Sequence, residues 1–125
     1  MKIRYSKNKI ITGIHILGNI YTNEIKKLQD LERIKSYISR TIRKFHMHEL
    51  GSFYYQFEDG KGFTGIVNLA ESHIAIHTWP EFNYLTLDVY ICNYLRNNNT
   101  LCKEFFLEVG NYFHPIKIDK KVIKR

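Results

Sequence analysis

A chain of 125 residues with 44% hydrophobic content suits one domain with a modest core, which a second copy would help to complete. The formal charge of +7 is spread over residues 1–9, the first helix and the C-terminal tail without a basic–aromatic stacking motif, which argues against a dedicated nucleic-acid binder. Two cysteines make neither a disulfide scaffold nor a four-cysteine zinc site, and with no signal-peptide core and no apolar run of about 20 residues the expected compartment is the cytoplasm, away from the membrane.

Residues 9–21 are rich in β-branched side chains and predict a first strand, with Gly13 and Gly18 marking a bulge or a close backbone approach. His15 within it reads as a packed, hydrogen-bonded side chain. From Asn23 to about His48 the period changes. Leu28, Leu31, Ile34, Tyr37, Ile38, Ile42 and Phe45 recur at three- and four-residue steps, which predicts a short and then a long helix capped by Asn23 and Asp30. The opposite face carries Lys27, Arg33, Lys35, Arg40 and Arg43, and Gly51 is the expected end of the region.

Ser52–Phe57 predicts a second strand, residues 58–62 a glycine-rich turn, and Phe63–Leu69 a third strand. The Gly-Lys pair in the turn lacks the glycine spacing of a phosphate loop. His73–Thr78 and Tyr84–Cys92 predict the fourth and fifth strands. Asn97–Thr100 caps a second long helix whose apolar side is Leu101, Phe105, Phe106, Val109, Tyr112 and Phe113, and Pro115 stops it. Cys102 in that helix reads as a buried thiol. Residues 115–124 alternate apolar and charged, as in an edge strand guarded by lysines. This order predicts an α+β two-layer sandwich, with two helices on one face of a largely antiparallel sheet. The other face then needs cover, and a second copy of the chain would provide it.

The chemistry concentrates in residues 69–81, Leu-Ala-Glu-Ser-His-Ile-Ala-Ile-His-Thr-Trp-Pro-Glu. One reading is a plain buried strand followed by a Trp-Pro turn. The other is a self-cleaving site at the Glu71–Ser72 peptide bond. His73 and His77 form an H-x-x-x-H pair, a zinc signature on a helix. In a strand, however, residues four apart sit roughly 13 Å apart, so the pair is not expected to hold one metal ion.

Residues 70–81, Ala-Glu-Ser-His-Ile-Ala-Ile-His-Thr-Trp-Pro-Glu, resemble the signature of the small prokaryotic S-adenosylmethionine decarboxylases. Gly62-Phe63-Thr64-Gly65 precedes the signature at the family's spacing. Leu87 to Cys92 follows it, and Gly13-Ile14-His15-Ile16-Leu17 resembles the family's opening strand. The resemblance implies a single-domain proenzyme, residues 1–125, that cleaves itself between Glu71 and Ser72 into residues 1–71 and 72–125. The Ser72 hydroxyl attacks the Glu71 carbonyl to give an ester. β-Elimination then cuts the chain, and hydrolysis of the dehydroalanine leaves a pyruvoyl group at position 72 and ammonia.

The same resemblance implies that the pyruvoyl carbonyl forms a Schiff base with the substrate and draws electrons as CO₂ leaves, so that no added organic cofactor is needed. It gives His77 the role of proton acceptor in cleavage and Thr64, in place of a family serine, that of positioning the ester. Cys92 would return a proton to the product, as a protonated thiol can near neutral pH. Glu81 would bind the ribose hydroxyls of the substrate and Phe57 its adenine. The expected activity is decarboxylation of S-adenosylmethionine for spermidine synthesis. The rivals are a pyruvoyl ornithine or arginine decarboxylase of the same lineage, or an uncleaved, non-catalytic regulatory subunit. Asn83 and Asn93 stand where the family usually has glycine.

Ser72 and His77 lie five residues apart, on opposite faces of a regular strand and roughly 16 Å from each other. A two-fold homodimer resolves this if His77 and Thr64 of one subunit meet Ser72 and Cys92 of the other, giving two composite sites.

Overall fold

β-Branched and aromatic residues at alternating positions build six strands in the computed structural model, which describes residues 12–93 and 96–125. The strands are β1 (Gly13–Tyr21), β2 (Glu49–Gln56), β3 (Phe63–Leu69), β4 (Ser72–Trp79), β5 (Tyr84–Cys92) and β6 (Lys117–Lys124). They form a single sheet in the order β2-β3-β4-β5-β1-β6, with every neighbouring pair antiparallel. Between β1 and β2 run a short helix α1 (Ile25–Gln29) and a long helix α2 (Leu31–Lys44). Helix α3 (Asn99–Asn111) leads into β6, and a 3₁₀ turn at Pro80–Phe82 joins β4 to β5. No helix among the described residues is long and apolar enough to cross a membrane.

The helices cover one face only. Ile34, Ile38 and Ile42 of α2 and Phe105, Phe106 and Val109 of α3 are fully buried with Ile16, Ile20, Val67, Ile74, Ile76, Leu87 and Val89 of the strands. Truncating such a residue to alanine costs about 2–5 kcal/mol, because the cavity left behind collapses only in part. Crowding leaves no room for a side chain at either glycine of β1, from backbone at Gly13 and from a packed ring at Gly18. A Cβ on Gly18 would lie 2.4 Å from the Phe106 ring, and one on Gly13 would lie 2.4 Å from the Ile91 carbonyl oxygen. β6 is an exposed edge strand bearing Lys117, Lys120, Lys121 and Lys124, as its sequence pattern predicts.

Two local expectations change. Asn23 does not cap α1: the N-cap is Glu24, whose carbonyl accepts the Lys27 N–H at 3.1 Å, and no side chain caps the helix. Asp30 does cap α2 with its side chain, accepting from the Arg33 N–H at 3.2 Å. Gly51 is not a helix stop. Helix α2 ends at Lys44, His46 takes the left-handed conformation at φ 58°, and Gly51 sits at a register shift inside β2. The expected start of the first strand, at residues 9–11, lies outside the described residues.

The second face of the sheet carries no described helix. Phe53, Tyr55, Ile66 and Trp79 are exposed on it, Phe53 at 72% and Ile66 at 54%. His73, Ala75 and His77 line its centre along β4, where burial alternates with the inward Ile74, Ile76 and Thr78.

Candidate active site

The residues expected to react fall into two groups at opposite ends of β4. At the first end, Thr64 of β3 and His77 of β4 are directly paired in register, and the Thr64 hydroxyl and His77 Nδ1 share a hydrogen bond of 2.6 Å. Threonine thus keeps the contact a serine would make, with a stiffer χ1. Thr78, 5% exposed, fixes the geometry behind them. Its hydroxyl accepts the Phe63 N–H at 2.9 Å and donates to the Leu28 carbonyl at 2.7 Å, tying β3, β4 and α1 together beside the Thr64–His77 couple.

Trp79 continues this end. Its ring centroid lies 6.2 Å from that of His77 and 5.5 Å from that of Tyr84. Glu81 is exposed in the 3₁₀ turn just beyond. Phe57 is also exposed, and its ring meets that of Tyr55 edge-on at 5.1 Å. The turn closes on Asn83 in the left-handed region, φ 53° and ψ 44°. Asparagine is the non-glycine residue that enters this region most readily, so the replacement of glycine here is tolerated by the backbone.

At the other end, Ala70 and Glu71 form a two-residue turn between β3 and β4, and Leu69 pairs with Ser72. Ser72 itself has φ 154°, a conformation costing about 1–3 kcal/mol for a residue with a Cβ. The Glu71 carbonyl, the one expected to be attacked, accepts the Cys92 N–H at 3.0 Å. A donor at that oxygen polarises the carbonyl and stabilises negative charge developing on it. Cys92 is a free, half-buried thiol at the end of β5. Its own carbonyl accepts from the buried Asn98 side chain at 2.8 Å, and Asn93 Oδ1 accepts the Asn98 N–H at 2.7 Å. Asn93, in place of glycine, is therefore part of a small asparagine network that holds the end of β5.

The Glu71 carboxylate accepts both the His48 N–H at 3.0 Å and a hydrogen bond from His48 Nδ1 at 2.9 Å. Burial opposes its ionisation, but the two His48 contacts outweigh that, and Glu71 titrates below the ordinary glutamate value. The sequence reading singled out Glu71 only as the residue before the cut. His48 went unnoticed because it stands 23 residues away in a segment without periodicity.

Between the two ends, His15, His73 and Tyr90 cluster with ring centroids 5.5–5.7 Å apart, and the Arg125 guanidinium lies 4.9 Å over Tyr90. His15 is packed, as expected, but its Nε2 has no hydrogen-bond partner among the described residues. Burial lowers its pKa, with nearby Asp88 opposing the shift. His73 and His77 share the open face but are four strand positions apart, and no group of three or more His, Cys, Asp or Glu side chains among the described residues converges to hold a metal ion.

Within one chain, then, Thr64 meets His77 and Glu71 meets Cys92, but the two pairs stay apart. Five positions of β4 separate Ser72 from His77, roughly 16 Å of strand.

Residues 14–125 match the family model described as S-adenosylmethionine decarboxylase. The S-adenosylmethionine decarboxylase proenzyme of Picrophilus torridus is 32% identical over 117 residues, covering 94% of this chain and 86% of that protein. The proenzyme of the same name from Persephonella marina is 35% identical over 113 residues, covering 90% and 81%. The crystal structure of the adenosylmethionine decarboxylase from Aquifex aeolicus superimposes with a TM-score of 0.78 at 33% identity, over 94% of this chain and 92% of that one.

Proposed function

This chain belongs to the S-adenosylmethionine decarboxylase family, and from that premise we propose a cytoplasmic, self-processing, pyruvoyl-dependent enzyme. It releases CO₂ from S-adenosylmethionine to give the aminopropyl donor for spermidine synthesis. The observation that carries the processing step is the Cys92 N–H seated on the Glu71 carbonyl, at a turn where Ser72 is held in a strained conformation.

The chain's own groups account for the cut. The Ser72 oxygen attacks the Glu71 carbonyl carbon. The peptide C–N bond breaks, an ester forms, and the hydroxyl proton ends on the freed Ser72 nitrogen. Negative charge on the attacked oxygen is met by the Cys92 N–H. His77, oriented by its hydrogen bond to Thr64, then removes the Ser72 Cα proton. The Cβ–O bond breaks and releases the Glu71 carboxylate, leaving residues 1–71 and 72–125. Uptake of water and loss of ammonia at residue 72 yield the pyruvoyl group, whose ketone supplies an electron sink for the carbon that loses CO₂. Cys92 protonates that carbon. Glu81 holds the ribose hydroxyls, and Phe57 offers an aromatic face to the adenine.

A homodimer makes these steps reachable. The midpoint between Ser72 and His77 falls at Ile74–Ala75. A two-fold axis lying in the interface at that level, across the strands, sets His77 of one sheet opposite Ser72 of the other. Stacked sheets pack about 10 Å apart, within reach of an imidazole from one side and the turn from the other. The exposed Phe53, Tyr55 and Ile66 supply apolar surface for that contact. Two composite sites result, each with Thr64 and His77 from one copy and Ser72 and Cys92 from its partner.

Two measurements test this reading together. Intact mass should show the 15.0 kDa chain replaced by two fragments split at Glu71–Ser72, the second carrying the pyruvoyl group. CO₂ release should be seen with S-adenosylmethionine and not with ornithine or arginine. A chain that stays whole, or CO₂ released only from the basic amino acids, would overturn it.

A further inference from the structure

The turn that is to be cut is anchored from two sides. On the β5 side the Cys92 N–H holds the Glu71 carbonyl at 3.0 Å. On the β2 side His48 makes three contacts. Its N–H donates to Glu71 Oε1 at 3.0 Å, its Nδ1 meets Glu71 Oε2 at 2.9 Å, and its carbonyl accepts the Ala70 N–H at 2.9 Å. A two-residue hairpin turn closes on its own strand pairing, so a residue just ahead of β2 that grips both turn residues fixes the orientation of the peptide that follows them.

We propose that His48 is a positioning residue for self-cleavage: by gripping the Glu71 carboxylate and the Ala70 amide, it keeps the Glu71 carbonyl on the Cys92 N–H, where the Ser72 hydroxyl can attack. The inference rests on the self-processing reading and deepens it. The ring contact is the part that depends on the side chain, since the N–H and carbonyl of residue 48 survive any substitution except proline. The same grip has a role after the cut. Glu71 is then a chain end, and its side-chain carboxylate stays on His48, so the released end of β3 remains docked.

The His48 ring is 74% exposed while the Glu71 side chain is 19% exposed. Replacing the ring therefore leaves the core untouched, and its effect is that of one charge-assisted hydrogen bond near the surface. The test is a time course of intact mass on the full chain made by cell-free synthesis, for the wild type, His48→Ala, His48→Asn, Glu71→Gln and the His48→Ala/Glu71→Gln double variant. His48→Ala should slow chain breakage by about three- to tenfold, as expected for one such bond. His48→Asn, whose side-chain amide can donate from nearly the position of Nδ1, should restore most of the rate. In the His48→Ala background, Glu71→Gln should slow it by a smaller factor than it does in the wild type, because the ring contact that both variants weaken is already gone. Breakage of His48→Ala at the wild-type rate, or multiplicative slowing in the double variant, would overturn the role of His48 alone. A wild-type chain that never splits would overturn the self-processing reading and this inference with it.

Discussion

The two ends of β4 are built differently. The Thr64–His77 end is assembled from side chains on regular strand backbone: a hydroxyl and an imidazole in direct register, braced from behind by the buried hydroxyl of Thr78. The Glu71–Ser72 end is assembled largely from backbone, with a tight turn, a φ of 154° at Ser72 and the main-chain N–H of Cys92 on the carbonyl to be attacked. One end offers the proposed proton acceptor, and the other offers a strained, polarised bond beyond that acceptor's reach. Neither is a complete catalyst, and the strand that joins them is too long for them to meet within one chain.

The largest expected effect separates the ends by chemistry. His77→Ala leaves the Ser72 end intact, so the attack on the Glu71 carbonyl survives but the Cα proton has no acceptor. Chain breakage should fall by about 10²–10⁴-fold, the usual contribution of a positioned base, and an ester at Ser72 should accumulate. Hydroxylamine cleavage of the purified variant at that position, followed by mass spectrometry, detects the ester. If His77→Ala breaks at the wild-type rate, the assignment of the proton acceptor to that end fails.

A smaller effect separates the ends by pH. The two His48 hydrogen bonds overcome burial and hold the Glu71 carboxyl below its ordinary value of 4.5. The unfolded chain therefore takes up this proton first as pH falls. The stabilisation from Glu71 is complete above about pH 4.5 and is lost as pH drops through the lower folded value. In a Ser72→Ala chain, which keeps the turn whole, the His48 amide should lose protection from hydrogen exchange as pH falls through that lower folded value. The Phe63 amide at the other end, held by the Thr78 hydroxyl, should not. Equal loss at both amides would mean that the two ends do not differ in this way.

Much of this was legible before any coordinates. Phe63–Leu69 and Tyr84–Cys92 were read with the bounds they have in the structure, because each alternates cleanly between polar turns. The sheet's one-sided helical cover also followed from the order of elements. The start of β2 was missed because Glu49 and Leu50 precede a register shift at Gly51, and a glycine after a helix pattern reads as a stop. The true stop is a left-handed histidine, His46, which carries no comparable signal. At the site, Ser72, His77, Thr64 and Cys92 stood out through their motif and spacing. The Cys92 N–H and His48 did not, since a backbone donor has no sequence signature and a lone histidine acquires meaning only beside its partner. Asn83 and Asn93 looked like departures, yet the backbone and hydrogen bonding accept them: one takes the left-handed turn position, and the other joins the network at the end of β5.

Whether the two ends complete each other across copies can be measured directly. Ser72→Ala chains keep His77, His77→Ala chains keep Ser72, and neither should break alone. When the two are co-folded into a mixed dimer with distinguishable tags, the His77→Ala polypeptide should be cut between residues 71 and 72 while the Ser72→Ala polypeptide stays whole. A confirmed mixed dimer in which both polypeptides remain intact would contradict the account.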